Sequence, residues 1–366
     1  MTTIDPTAPA EDGDLTAADV AWDIDTILDA RSVDDLFDEA DVLADELTSL
    51  RGTVADLDAD GHVAAMHTME RIGELTSRAG HYVMLAFSTD TADPERGAAK
   101  AAMQERSTAI NTTLIFFDLE WAALADEKAD ELLADPRLGF CRHHLSTLRL
   151  QRPYLLSEAE ETVIAEKGQT GEGAWVRLFD ELTSAIEVDL PDEIGGSGLP
   201  LDQALSMLAS NDADVRRTVA DAVTSSLRPG LRTRAYVYNT LLLDKSIDDR
   251  MRGFPTWVSS RNLANEASDE SVQALVDAVV ANYSIPQRWY SLKARILGVE
   301  RLADYDRMAS VASDENEIGW SEATGIVRDA YRSFSPELAD AVDRFIDENW
   351  IDAPLRPGKR GGAFAA

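Results

Sequence analysis

The chain has 366 residues, of which 45% are apolar, with one cysteine and a formal net charge of -33. That is enough apolar sequence for a substantial core, which excludes a disordered chain, and no run of about 18 apolar residues offers a membrane span. A surface this acidic repels phosphate backbones and argues against nucleic-acid binding.

Residues 1–18 read as an acidic leader rich in Pro, Ala, Thr and Asp, without the basic and apolar regions of a secretory signal. Ser32 then caps a helix whose apolar positions are Leu36, Ala40, Leu43 and Leu47, and Arg51-Gly52 ends the pattern. A second helix is expected from about Gly61 to Phe87. A third begins after Asp93-Pro94 and runs toward Leu133 before Asp135-Pro136, either as one long arm or broken near Asn111. Ser157 and Glu160 form a capping box, and Gly171 to Ile186 carries Trp175, Leu178, Phe179 and Leu182 on one helical face. Pro, three glycines and a short β-like run between Glu187 and Pro200 read as a loop or small hairpin and the best domain boundary. Helices resume at Leu201. Val272, Leu275, Val276, Val279, Val280 and Tyr283 keep helical spacing, and Ser335-Pro336 opens a helix with Leu338, Val342, Phe345 and Ile346 as its buried stripe. The expected fold class is all-α, a multi-helix array with very little strand.

The composition of the charge is informative. Asp outnumbers Glu by 41 to 26 and Arg outnumbers Lys by 28 to 6. A salt-rich cytoplasm and a GC-rich genome both produce that bias, and both readings stay open. Cys141 has no partner for an internal disulfide, which with the signal-free leader points to the cytoplasm.

No chemistry-bearing motif emerges from the residues themselves. A catalytic zinc needs about three protein ligands that converge. His62 and His67 are roughly 140° apart on a helix, and the adjacent His143 and His144 are about 100° apart. His67 and Glu70 share a face, a pairing that usually belongs to a solvated surface. The stretch around Cys141, "CRHHLSTLRLQRPYLL", could pair a Cys nucleophile with His, but reads more simply as a helix with a buried Cys. No G-x-S-x-G, G-x-x-x-x-G-K-[ST] or G-x-G-x-x-G occurs.

Three stretches resemble the oligoendopeptidase F group of zinc metallopeptidases, relatives of thimet oligopeptidase. They are Arg252 to Val279 with "FPTWVSSRN", Tyr283 to Ala309, and Ser333 to Ala366 with "RPGKRGGAF"; "AWDIDTIL" near residue 21 fits the usual start of such chains. The resemblance implies an elongated helical array, the front part of a channel fold. Residues 19–186 would be its N-terminal helical domain, 187–200 the boundary, and 201–366 the incomplete beginning of a catalytic domain. In that group zinc is held by H-E-x-x-H and a later Glu, which lie downstream of "GKRGGAF" and have no counterpart here. Catalytic and metal residues are therefore expected to be absent, no zinc is expected on this chain, and the missing catalytic segment would be its partner. In the complete enzyme zinc and the motif's Glu would hydrolyse short unstructured peptides. This chain would supply channel wall, with Gly361, Gly362, Ala363 and Phe364 as a short strand bordering the cleft, along which a peptide backbone adds, or else as an inert edge. Apolar faces after Leu201 would then lie uncovered. The alternative is a free-standing helical scaffold that binds a peptide or protein partner.

Overall fold

The structure, a computed structural model, describes residues 16–311 and 318–365. The leader expected over 1–18 lies almost wholly outside that part. The described residues are helical apart from one two-stranded hairpin and connecting turns. The helix starts follow from local side chains. At Val33–Leu47 (α1) the Ser32 hydroxyl accepts from Asp35 N and the Asp35 carboxylate accepts from Ser32 N, each at 3.0 Å. Asp58 caps Ala59–Thr89 (α2), and Asp93 caps Pro94–Ala123 (α3) with Pro94 at its first position.

The long third arm breaks at Leu124 and not near Asn111. Leu124 and Ala125 take extended ψ values of 144° and 142°, and the chain restarts as Asp126–Ala134 (α4). The cause is tertiary. Arg149, on Arg142–Gln151 (α5), donates to the carbonyls of Trp121 and Leu124 at 3.3 and 3.1 Å, which satisfies the helix end. These five helices enclose one apolar core built on Leu36, Phe37, Leu75, Phe116, Phe117 and Trp121. Trp121 is fully buried, and its indole N–H donates to Leu145 O at 2.8 Å.

Glu158–Gly168 (α6), opened by the Ser157–Glu160 capping box, and Glu172–Ser184 (α7) follow. The glycine-rich interruption forms the hairpin: Glu187–Val188 (β1) pairs antiparallel with Leu199–Pro200 (β2). Val188 and Leu190 pack with Ala204, Val219 and Val223 from Leu201–Ser206 (α8) and Ala213–Leu227 (α9), a second small core. Leu231–Arg252 (α10) lies on α7. Arg252 also clamps Glu161 through two bonds of 2.7 and 2.8 Å, and Phe254 stacks on Tyr154 at 4.1 Å. Arg216 and Asp306, both buried, close α9 onto the segment after α13 at 2.8 Å.

Ser259–Ala264 (α11), Asp269–Ala281 (α12), Ser284–Ile296 (α13), Trp320–Phe334 (α14) and Pro336–Asp347 (α15) complete the fold. Their apolar stripes have the expected spacing but not the expected burial. On α15 Leu338 is 43% and Phe345 48% exposed, because that helix packs mainly on α14. On α12 and its exit Leu275, Val276, Val279, Val280 and Tyr283 are all exposed.

Two stability predictions follow from the core and the charge. Residues 1–200 carry 42 carboxylates against 14 lysines and arginines. Salt bridges such as Arg106 with Asp38 and Asp41 offset only part of that excess. Self-repulsion therefore outweighs pairing, and screening it should raise the melting temperature markedly between about 0.1 M and about 1 M KCl, as the Debye length drops to about 3 Å. A flat or falling curve in differential scanning calorimetry would remove the salt-rich-host reading.

The second concerns pH. His62 is fully buried on α2, edge-on to Trp121 at 5.3 Å. Its Nδ1 lies 3.0 Å from Asp58 O, so Nδ1 carries the proton, and Nε2 has no partner. Burial lowers its pKa, with Lys128 adding to and Asp58 opposing the shift. The folded chain thus binds fewer protons than the unfolded one as pH falls below the usual histidine value, and stability declines there. Asp118 on α3 acts in the opposite sense. Burial raises its pKa to about 6, against a small lowering by His144. Its contribution is favourable at low pH and is lost as pH rises from the ordinary carboxylate value through about 6. Asp118→Asn should therefore stabilise the protein at pH 7.5 by on the order of 1–3 kcal/mol and have little effect near pH 4. His62→Leu should flatten the decline between about pH 7 and 5.5. Urea titrations across that range measure both.

Candidate functional site

The C-terminal segment forms a strap that returns across the start of the chain. Asp23 N donates to Asn349 O at 2.9 Å and Ala353 N to Val20 O at 2.8 Å. Further on, Thr91 N donates to Gly358 O at 2.7 Å and Arg360 N to Ser88 O at 2.8 Å, anchoring the strap to the turn between α2 and α3. The turn at Pro357-Gly358 needs glycine. Its φ is +76°, and a Cβ there would stand 2.6 Å from Asp90 Oδ1.

The strap is closed by one buried charge. The Asp352 side chain is 1% exposed, and Lys359 Nζ lies 2.7 Å from its Oδ2. The same ammonium donates to the carbonyls of Asp352 and Pro354 at 2.9 Å each. Arg356 adds a longer contact of 3.7 Å. Two cations of the "RPGK" turn, Arg356 and Lys359, thus face one buried carboxylate, which they neutralise by proximity and not through well-directed hydrogen bonds.

Between the strap, the start of α3, the end of α7, the hairpin and α8 lies a cavity of about 840 Å³. Gly361 and Gly362 line it; Ala363 and Phe364 do not. Phe364 instead packs edge-on to Trp22 at 6.5 Å, with the Arg360 guanidinium 5.5 Å over its ring. The short strand expected here does not form. Gly362 adopts φ +85°, a bend that breaks extended geometry. The backbone groups of Gly361–Phe364 are exposed and have no hydrogen-bond partner among the described residues.

Other groups at the cavity are brought together from distant sequence. Gly97 lets the Arg177 guanidinium approach to 2.8 Å from where a Cβ would stand. Lys100, one turn further along α3 and outside the cavity lining, holds its ammonium 4.3 Å over the Phe87 ring. Burial lowers the Lys100 pKa; Asp180 and Glu181 oppose the shift while Arg177 and Arg360 reinforce it. A glycine within the first turn of an alanine-rich helix was the available sign of that approach.

Among the described residues, His62, His67 and His143 each have surroundings of their own. His62 is locked in the core, and His67 pairs with Glu70 at 3.1 Å and stacks on Phe140. His143 pairs with Glu266 at 2.8 Å. Among the described residues no three His, Cys, Asp or Glu side chains are grouped to hold a metal. Cys141 is buried, with Sγ directed at Leu138 O, and burial raises its pKa, which suits packing and not nucleophilic attack. The "FPTWVSSRN" signature is a rigid turn. Phe254 is stacked, Thr256 and Ser259 share a 2.7 Å hydroxyl bond, Asn262 donates to Asp269, and Trp257 is left 78% exposed.

The family profile described as Oligopeptidase F matches residues 120–187. Over 96% of its length the chain is 20% identical to oligopeptidase PepF of Bacillus subtilis, covering 52% of that protein. Over 72% it is 23% identical to the group B oligopeptidase PepB of Streptococcus agalactiae, covering 45%. The chain is similar to members of the oligoendopeptidase F family. Its fold is similar to the crystal structure of oligoendopeptidase F from Enterococcus faecium, with a TM-score of 0.69 at 20% identity, covering 88% of this chain and 64% of that one. It is also similar to PZ peptidase A, with a TM-score of 0.67 at 14% identity, covering 93% and 56%. The chain spans about half the length of the curated relatives it matches.

The strap can be tested directly. Asp352→Asn leaves the Lys359 ammonium half-enclosed without its counter-charge and should cost about 3 kcal/mol, the low end of the range for a broken buried pair because Lys359 retains some solvent. Gly358→Ala should act in the same direction through its clash with Asp90. In both variants limited proteolysis should cut within 353–364 while α1–α5 stay intact. An unchanged cleavage pattern would mean that other contacts hold the strap.

Proposed function

We propose that this chain is the non-catalytic, peptide-binding front part of a zinc-dependent oligoendopeptidase. It supplies one wall of a channel for short unstructured peptides. The observation that carries the reading is the strap: four consecutive residues with free backbone groups, beside a cavity of about 840 Å³, in a chain of oligopeptidase ancestry. A peptide's N–H and C=O groups can pair with those of Gly361–Phe364 irrespective of side-chain sequence, which suits a peptidase of broad specificity. The bend at Gly362 limits the pairing to a few bonds, so affinity depends on the cavity as well.

The zinc chemistry belongs, in this proposal, to a further segment of the kind that makes up the other half of the longer relatives. That segment would also cover the exposed stripes of α12, α13 and α15. No helix of the described residues is long and apolar enough to cross a membrane. The single buried cysteine suits a reducing cytoplasm.

A fluorescently labelled unstructured oligopeptide should bind the purified chain, with Gly362→Val weakening it at least about tenfold, or about 1.4 kcal/mol. The dialysed chain should hold no stoichiometric zinc and leave the peptide uncut. Addition of a downstream segment with H-E-x-x-H and the later Glu should bring metal and cleavage together. The chain alone should bind a hydrophobic dye. Tight one-to-one zinc with chelator-sensitive cleavage would refute the proposal, and a dye-silent monomer would favour a self-sufficient scaffold.

A further inference from the structure

The free edge of the strap is held by a segment from the far side of the sequence. Val20 and Asp23 run antiparallel to the strap's base: residue 20 meets 353 and residue 23 meets 349 through the two backbone bonds already described. Trp22 stands between those bonds and reaches the tip instead, edge-on to Phe364 at 6.5 Å and 67°. The same segment continues into the turn Asp25–Leu28, which packs on α2, and Leu28 lies against the apolar core of α1–α5. The half-buried Trp22 ring belongs to neither apolar core, so global stability asks little of it.

Gly361–Phe364 make no hydrogen bond among the described residues, so packing sets their orientation. Two contacts fix the near end. Arg360 N donates to Ser88 O, and Asp202 stands against Gly361, its Cβ 3.7 Å from where a Cβ of that glycine would be. Past Gly362, at φ +85°, the backbone is at its most permissive, and a further tie is needed to fix its direction. The Arg360 guanidinium, 5.5 Å over the Phe364 ring, comes from the strap itself. Trp22 is the partner that ties that ring to another part of the chain.

We propose that Trp22 is a positioning residue for the peptide edge. It holds Phe364, and with it the free N–H and C=O groups of Gly361–Phe364, in the orientation in which a peptide pairs with them. This rests on the reading of the strap as a peptide-binding edge and names the residue that keeps the edge ready. A peptide that meets an edge already in place loses only its own freedom. One that meets a swinging edge must also wait for the competent orientation, and its affinity falls by the fraction of time spent there. An aromatic pair shifts that fraction by about two- to tenfold.

The test uses the whole chain and a fluorescently labelled, unstructured oligopeptide without charged side chains, followed by anisotropy. Trp22→Ala should weaken binding about five- to tenfold, and Trp22→Phe, which keeps an aromatic edge, should restore most of it. Phe364→Ala should cost a similar factor, and it tests the same contact where Trp22→Ala does not fold. The double variant should bind no worse than either single one, because both remove one contact. Circular dichroism and the resistance of residues 349–359 to limited proteolysis should stay at the wild-type level in Trp22→Ala. Additive losses would make Trp22 a direct contact of the peptide, and cleavage within 349–359 would make it a residue that folds the strap's base; either result overturns the positioning role. Equal binding by wild type and Trp22→Ala would overturn this inference and leave the peptidase reading standing. A wild-type chain that binds no oligopeptide would overturn both.

Discussion

Sixty-seven carboxylates on 366 residues are the constraint to which the other features answer. A chain with that excess must place its few cations where each neutralises several acids. It does so with arginine, whose planar fork reaches more than one partner. Arg106 gathers Asp34, Asp38 and Asp41 across α1 and α3, and Arg137 joins Asp135 to Asp60. The acids themselves are put to structural use. Asp58, Asp93 and Asp212 cap helices, where a carboxylate satisfies free N–H groups and faces the positive end of the helix dipole. The same composition that strains the surface electrostatically therefore helps to define where helices begin.

The economy continues after α9, where Arg252 holds Glu161 and Asp248 and Arg328 holds Asp343 and Asp347. Asp352 is the one acid enclosed by lysine and arginine from its own loop, and this closure positions Gly358 against α2 and leaves residues 361–364 at the edge of the cavity. A loop held by a charge pair at its base and free at its tip combines a fixed position with unpaired backbone. A regular strand in that place would have needed a neighbour of its own.

The legible part of this structure was local. Ser32, Asp93-Pro94, Ser157 and Ser335-Pro336 each satisfy helix ends through atoms a few residues away, so their signals survive without tertiary knowledge. The break at Leu124 was not legible, because Arg149 from another helix completes it. Periodicity showed which faces of α12 and α15 are apolar. It carried no information on what covers them. At the strap the expected geometry differs from the observed one: Gly361-Gly362 suits a strand by its small size, and Gly362 uses its freedom for a left-handed bend instead. Lys100, Arg177 and Arg360 were invisible as a group, since α3, α7 and the strap meet only in the fold.

The two halves thus answer differently to one composition. In the helices up to α7 nearly all the arginines are spent on nearby acids, though most acids stay unpaired, and the Trp121 core is closed. From α10 onward Arg252, Arg328, Arg332 and Arg344 still hold acids, but the apolar stripes of α12, α13 and α15 are left exposed, although the secondary structure is as regular as before. Poor folding would leave apolar groups exposed at random positions, whereas here they keep to one face of each regular helix. In the proposed reading, those faces and the free backbone of the strap are the surfaces that the rest of a longer protein and its peptide would cover.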